Sequence, residues 1–215
     1  MFRCLHRVEP VKLNLFKKCG IKMEMHKPGR EEAIALLKKY NQSDALIKHA
    51  LAVEAVMGYF AEKFGEDDLE KWRVIGLIHD LDYEKYSDKH CQKTKEILTE
   101  EGWPEDYIRA VLSHGWKICT DVEPVEKMEK VLYTIDELTG LIVATVLMRP
   151  NRSVMDLTAK SVKKKFKQKS FAAGVDRGII EEGAELLGMD LTEVIEETIR
   201  GMQAAADELG LKGDL

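Results

Sequence analysis

The stretch L-I-H-D-L-D-Y-E, residues 77–84, places a histidine beside an aspartate at the end of an apolar segment with helical spacing. The chain contains six histidines. Four of them form an ordered set with this doublet and a later aspartate: His49, His79, Asp80, His90, His114 and Asp136. Imidazole and carboxylate are the ligands that divalent transition metals take from proteins. The set therefore predicts a metal site, and the mixture of ligand types suggests hydrolysis.

Apolar residues repeat at intervals of three and four along most of the chain, and no window alternates at period two. This pattern predicts an all-α bundle of about eight helices or more. Start and stop signals place the helices at 30–40, Ser43 to Gly65, Asp67 or Asp68 to His79, Ser87 to Gly102, Pro104 to His114, Pro124 to Met148, Ser153 to about Lys169, Asp176 to Gly188, and Asp190 or Thr192 to Gly210. The apolar stripe of the last helix predicts either a core face or a homodimer face.

Length and composition indicate one folded domain, or one domain with a small extension. A net charge of −5 argues against general affinity for nucleic acid. No apolar run approaches the roughly 20 residues that a membrane span needs. The four cysteines form no C-x-x-C pair, which is typical of free thiols in a reducing cytosol: Cys4, Cys19, Cys91 and Cys119. We therefore expect a cytoplasmic protein that does not bind membranes.

Three segments are predicted. Residues 1–29 carry many Lys and Arg but no helical period, so they form an N-terminal extension, with Met23 or Met25 as an alternative start. Residues 30–150 form the domain that carries the metal site. Residues 151–215 form helices that pack on its core.

Helical spacing predicts that the candidate ligands converge. His49, His79 and Asp136 each follow an apolar residue of their own helix by three or four positions, so they lie on buried faces. A lone buried carboxylate is costly, and a shared metal ion would remove that cost. The alternative for each histidine alone is a hydrogen-bonded core residue. His90 and His114 lie near helix ends, where they are either ligands of a second metal or ordinary histidines at a helix terminus.

The ordered set resembles the HD-domain metal-dependent phosphohydrolases. The resemblance covers about residues 43–150 and is carried by I-K-H-A-L-A-V, L-I-H-D, D-K-H, V-L-S-H-G and L-Y-T-I-D-E-L-T-G. Within that superfamily the arrangement is similar to HD-type dinucleoside polyphosphate hydrolases, and to a group of prokaryotic HD proteins that share D-L-D-Y-E. Where many relatives read H-D-I-G-K, Tyr83 stands at the lysine position and Lys85 follows two residues later. The H-H-E and G-Y-P signature of cyclic-dinucleotide phosphodiesterases is missing.

The resemblance implies an HD-domain helical bundle with a C-terminal helical extension and two metals. The first would be held by His49, His79, Asp80 and Asp136. The second would be held by His90 and His114, with Asp80 bridging the two. Mixed ligands suit Mn, Fe, Co, Ni or Zn.

The implied activity is hydrolysis of a phosphate ester or anhydride in a small nucleotide-like substrate by metal-activated water. Asp80 would orient the nucleophile. Asp82 and Glu84 are either acids that protonate the leaving group or solvated loop residues. Two alternatives remain: a single-metal nucleotidase in which His90 and His114 serve the substrate, and a non-catalytic regulatory module that binds nucleotide and metal.

A phosphate substrate also needs nearby positive charge. Residues 160–169 contain six lysines and no acid, and Arg149 and Arg152 precede them. One interpretation is a phosphate-binding wall formed by Lys160, Lys164 and Lys167 on one helix face, with the two arginines and Lys85. The other interpretation is an exposed basic face, which is the common fate of a charge run.

Overall fold

The computed structural model describes residues 26–213, which form helices joined by turns and loops and contain no β-strand. Ten α-helices follow one another: α1 (Arg30–Tyr40), α2 (Asp44–Phe64), α3 (Leu69–Ile78), α4 (Tyr83–Tyr86), α5 (Gln92–Glu100), α6 (Glu105–Leu112), α7 (Lys127–Leu147), α8 (Ala159–Phe166), α9 (Arg177–Leu187) and α10 (Leu191–Ala204). Two short 3₁₀ turns, Ser87–Lys89 and Ser113–Gly115, interrupt the series. The predicted all-α class is confirmed. The expectations for residues 1–25, including the first two cysteines and the alternative start, lie outside the described residues.

Helix α2 is the centre of the bundle. It packs against α3, α7 and α10, and α9 packs against α7. The α2–α3 contact is close because Gly76 has no side chain: a Cβ there would lie 3.0 Å from the Cα of Glu54. His49 on α2, His79 after α3 and Asp136 on α7 therefore belong to three helices that share one core.

The stripe of the last helix lies in that core. Val194, Ile195 and Met202 are fully buried within the described chain. Gly201 brings α10 against α2, since a Cβ there would lie 2.9 Å from the Cα of Val56. Of the two interpretations of this stripe, the structure favours the core face.

Several helix boundaries were predicted wrongly. Ser153 does not begin a helix, because its hydroxyl donates to the Lys212 carbonyl and accepts from the Met155 amide. Helix α8 begins only after Thr158, which caps it. Helix α7 begins after Glu126, which forms a reciprocal capping box with Glu129, rather than at Pro124.

Two further ends differ from expectation. Helix α5 does not start at Ser87, because a 3₁₀ turn follows α4 and Cys91 takes a φ of 65° before the helix begins. Helix α10 ends at Ala204, and the chain continues in turns to Gly210. At the start of α5 a tertiary contact overrides local spacing, because the Thr94 amide donates to the Asp82 carboxylate.

The α7–α9 contact gives a stability prediction. A Cβ at Gly183 would lie 2.9 Å from the Cα of Thr134 and would overlap its side chain. Gly183→Ala should therefore lower the free energy of unfolding by about 1–3 kcal/mol. Urea unfolding measures the change. Gly174→Ala is the control, since a Cβ there meets nothing within 4 Å. Equal stability of the two variants would contradict the close packing.

Candidate metal centre

The side chains of three predicted ligands meet, and their polar atoms are separated by the distances expected of atoms that bind one metal ion. The Nε2 atoms of His49 and His79 lie 3.2 Å apart. The Oδ1 atom of Asp136 lies 2.9 Å from Nε2 of His49 and 3.3 Å from Nε2 of His79. Two ring nitrogens and one carboxylate oxygen thus face one point between α2, α3 and α7.

Asp80 places its two carboxylate oxygens on different sides. Oδ2 lies 3.5 Å from Nε2 of His79 and 3.8 Å from Nε2 of His49. Oδ1 lies 3.5 Å from Nε2 of both His90 and His114. Those two nitrogens are 3.1 Å apart. Asp80 therefore joins two groups of imidazoles through one carboxylate.

These spacings fit metal coordination. Ligand atoms at 2.0–2.2 Å from one ion are separated by about 3.0 Å in an octahedral shell and about 3.4 Å in a tetrahedral one. The distances given above, between imidazole nitrogens and from them to carboxylate oxygens, run from 2.9 to 3.8 Å. Among the described residues, three groups of side chains are close enough to hold an ion. Two of them combine imidazole with carboxylate, one with His49, His79, Asp80 and Asp136 and the other with Asp80, His90 and His114. The donor set has room for two ions that share Asp80.

Three of the histidines have a fixed tautomer. Nδ1 of His79 lies 2.8 Å from the carbonyl oxygen of Gly76, and Nδ1 of His114 lies 2.5 Å from that of Val111. A carbonyl only accepts, so Nδ1 donates, and in the neutral ring Nε2 keeps its lone pair towards the centre. His90 Nδ1 donates in the same way to Asp82, at 2.7 Å. This is the outer-shell pattern that orients metal-binding histidines.

The charges of the site are balanced only with added cations or protons. Burial opposes protonation of His79, but the carboxylates of Asp80 and Asp136 outweigh it and raise the pKa of His79 well above its usual range. Burial alone would raise the pKa of the Asp80 carboxyl, yet the neighbouring His79 and His114 hold it well below its usual range. Without metal, the two carboxylates thus favour a proton on Nε2 of His79, an atom that a metal would use.

The two groups open into one cavity of about 330 Å³. Besides ligands, it is lined by Tyr83, Ile118, Cys119, Glu137, Gly140 and Val175. Burial and the charge of Asp136 raise the pKa of the Glu137 carboxyl to about 7. Sequence reasoning missed Glu137, although its position directly after Asp136 was a signal. No Lys or Arg in the described part of the chain lines this cavity.

The two acids proposed for the leaving group lie elsewhere. Asp82 is fully buried, and its oxygens accept from His90 Nδ1 and from the Thr94 amide. Glu84 accepts from the backbone amides of Gln42 and Ser43 just before α2. The structure therefore places one acid behind a ligand and the other at a helix N-terminus.

The predicted cationic residues are not brought to the metal groups either. Lys160, Lys164 and Lys167 line a different cavity of about 840 Å³ beside α8. Arg149 pairs with Asp156, and Arg152 is exposed. The Lys85 ammonium donates to the backbone carbonyl of Lys39. These positions favour the exposed basic face over the phosphate-binding wall.

The chain matches the family model of the HD domain over residues 46–163, more than half of its length. The protein therefore belongs to the HD domain family, within a superfamily of metal-dependent phosphohydrolases. No curated protein and no solved structure matches the chain. Across residues 26–213, no helix combines the length and apolar character needed to cross a membrane.

Asp82 gives a prediction about metal affinity. Asp82→Asn leaves one acceptor for two donors, so the orientation of His90 is lost or weakened. We expect the affinity for the second ion to fall about 10–100-fold while the first ion stays bound. Titration with metal, followed by calorimetry, measures both. Asp88→Asn removes an exposed acid of the same segment as a control. Unchanged binding of both ions would contradict this role.

The raised pKa of His79 gives a prediction about pH. The folded state binds this proton more tightly than the unfolded chain does. The stabilisation is therefore complete below the ordinary histidine pKa of 6.5 and is lost as the pH rises through the raised pKa of His79. The melting temperature of metal-free protein should therefore fall above that value. Saturating metal should abolish the fall, because the metal replaces the proton. A metal-free melting temperature that rises across this window would refute the argument.

Proposed function

We propose that the protein is a metal-dependent phosphohydrolase that cleaves a phosphate ester or anhydride of a small, nucleotide-like substrate with water. The observation that carries the proposal is the position of Asp80, whose Oδ2 faces His49 and His79 while Oδ1 faces His90 and His114. A carboxylate between two imidazole groups suits a pair of divalent ions. Because its two oxygens face different imidazoles, each ion would have one Asp80 oxygen and a separate pair of histidines as ligands.

When bound, divalent ions lower the pKa of water and neutralise charge on transferring phosphoryl oxygens. His49, His79 and Asp136 would hold one ion, His90 and His114 the other, and Asp80 would join them. The backbone carbonyls of Gly76 and Val111 keep two of the imidazoles in the binding tautomer. The negative charges of Asp80 and Asp136 would attract and hold the ions.

The chain's own residues also limit where the substrate lies. The wall of this cavity carries no Lys or Arg among the described residues, so bound ions would supply the positive charge that faces the phosphate. Tyr83 stands edge-to-face on His90, is 46% exposed, and offers a ring to a planar substrate group. Glu137 is the carboxyl group that faces the cavity in place of Asp82 and Glu84. We propose it as the residue that contacts the leaving group.

A second cavity supports a substrate larger than one phosphate. It has a volume of about 440 Å³ and shares His49 and Gly140 with the cavity at the imidazole groups. Its lining is largely apolar and includes one acid and one base, Asp44 and Lys48. Two adjoining cavities suit a substrate with an organic group on each side of its phosphates. This arrangement supports the resemblance to dinucleoside polyphosphate hydrolases as a proposal for the substrate.

Cytoplasmic location and homodimer formation stay predictions. The burial of the α10 stripe removes the sequence feature that suggested a dimer face. The net charge of −5 still argues against nucleic acid as a partner.

The function is tested by metal content and hydrolysis measured together. Wild-type protein should carry a transition metal and release phosphate from at least one nucleotide or dinucleoside polyphosphate. His79→Ala should lose both the metal and the activity while its helical circular dichroism survives. His26→Ala, an exposed histidine paired with Glu32, is the matched control and should keep both.

Two outcomes would contradict the proposal. Full metal occupancy in His79→Ala would show that the ions bind elsewhere. A wild type that binds two ions and nucleotides but hydrolyses none across the panel would favour the regulatory module instead.

A further inference from the structure

Two cysteines meet beside the second metal position. Sγ of Cys91 and Sγ of Cys119 lie 3.0 Å apart, although the residues are 28 positions apart in sequence. Cys91 is fully buried and directly follows His90. Cys119 is partly buried and lines the metal cavity. The pair thus joins a ligand-bearing segment to the cavity wall.

The local structure is built to hold the two sulfurs together. A Cβ at Gly115 would overlap both Sγ atoms, so this position leaves room for the pair only as glycine. Asp82 accepts from His90 on one side of Cys91 and from the Thr94 amide on the other. These contacts fix Cys91, whose φ of 65° is unusual for a residue with a side chain.

The sulfur separation decides between two uses of the pair. Cys91 and Cys119 form a possible soft-metal group with His90. Two thiolates on one zinc ion, each at about 2.3 Å, would be about 3.8 Å apart in a tetrahedral site. The observed 3.0 Å is shorter than this. It is about 1 Å longer than a disulfide bond of about 2.05 Å. A small closure therefore makes a bond, whereas metal binding would require the sulfurs to separate.

We propose that Cys91 and Cys119 form a reversible disulfide that controls the occupancy of the second metal position. The oxidant is a peroxide that enters through the metal cavity. The Cys119 sulfur attacks one peroxide oxygen, the O–O bond breaks, and a sulfenic acid and water (or alcohol) form. The Cys91 thiol then attacks the sulfenic sulfur, the S–O bond breaks, and water leaves. A dithiol reductant reverses the change by two thiol–disulfide exchanges.

The consequence for the metal follows from position. His90 is bonded to Cys91 through the backbone, and Sγ of Cys91 lies 4.0 Å from Nε2 of His114. Shortening the Sγ–Sγ distance by about 1 Å would shift His90 and His114. A bound metal requires its ligand distances to stay within about 0.2 Å of their ideal values. The second ion is therefore released and the first, held by His49, His79 and Asp136, remains. This consequence rests on the proposed two-metal function, but formation of the disulfide does not.

The experiment uses the full chain with Cys4→Ser and Cys19→Ser, loaded with Zn²⁺, which peroxide does not oxidise. After treatment with hydrogen peroxide, peptide mass spectrometry without reduction should show the Cys91–Cys119 cross-link. Zinc content should fall from two ions to one per chain and recover after phosphine reduction and added Zn²⁺. In the same background, Cys119→Ser should form no cross-link and keep two ions; Cys91→Ala provides a second variant that lacks the pair.

The outcomes separate the disulfide from the proposed function. Absence of the cross-link after peroxide treatment, whether both thiols stay free or either is oxidised without joining the other, would overturn the proposal. A cross-link without loss of zinc would overturn the control of the metal position while leaving the disulfide. Failure of every phosphorylated substrate with the cross-link and zinc loss intact would instead count only against the hydrolase activity.

Discussion

The shared carboxylate of Asp80 is the constraint on which the rest of the site depends. Its two oxygens face different pairs of imidazoles, so a change in its orientation would alter both groups at once. It lies immediately after His79 at the end of α3, where α3 packs against α2 through Gly76. The close approach of these two helices sets the distance from Asp80 to His49. The packing of α2 against α3 therefore determines the geometry of the candidate ligands.

A second layer of contacts makes the ligands rigid. Asp82 holds His90, and carbonyl groups of helices hold His79 and His114. Buried carboxylates destabilise the folded state unless a cation is near them. In the metal-free state a proton on His79 compensates for their charge, as the raised pKa of His79 indicates. Metal affinity and pH are therefore coupled through the residues that we propose as ligands.

The helices and the convergence of the candidate ligands could be predicted from the sequence, because both follow from the periodic spacing of apolar residues. The all-α class was predictable for this reason, and so was the placement of His49, His79 and Asp136 on inward faces. Tertiary contacts decided the rest. Asp82 contacts His90 across a 3₁₀ turn, and the Cys91–Cys119 contact joins positions with no local spacing rule. The lysines of α8 lie beside another cavity, a placement that depends on the path from α7 to α8 and not on charge.

Anomalous X-ray diffraction from manganese-loaded crystals tests the central claim most directly. The account predicts two metal peaks in each chain, one among His49, His79 and Asp136 and the other between His90 and His114. One oxygen of Asp80 should contact each ion. A single peak with both Asp80 oxygens on it, or peaks away from these histidines, would contradict the shared-carboxylate site.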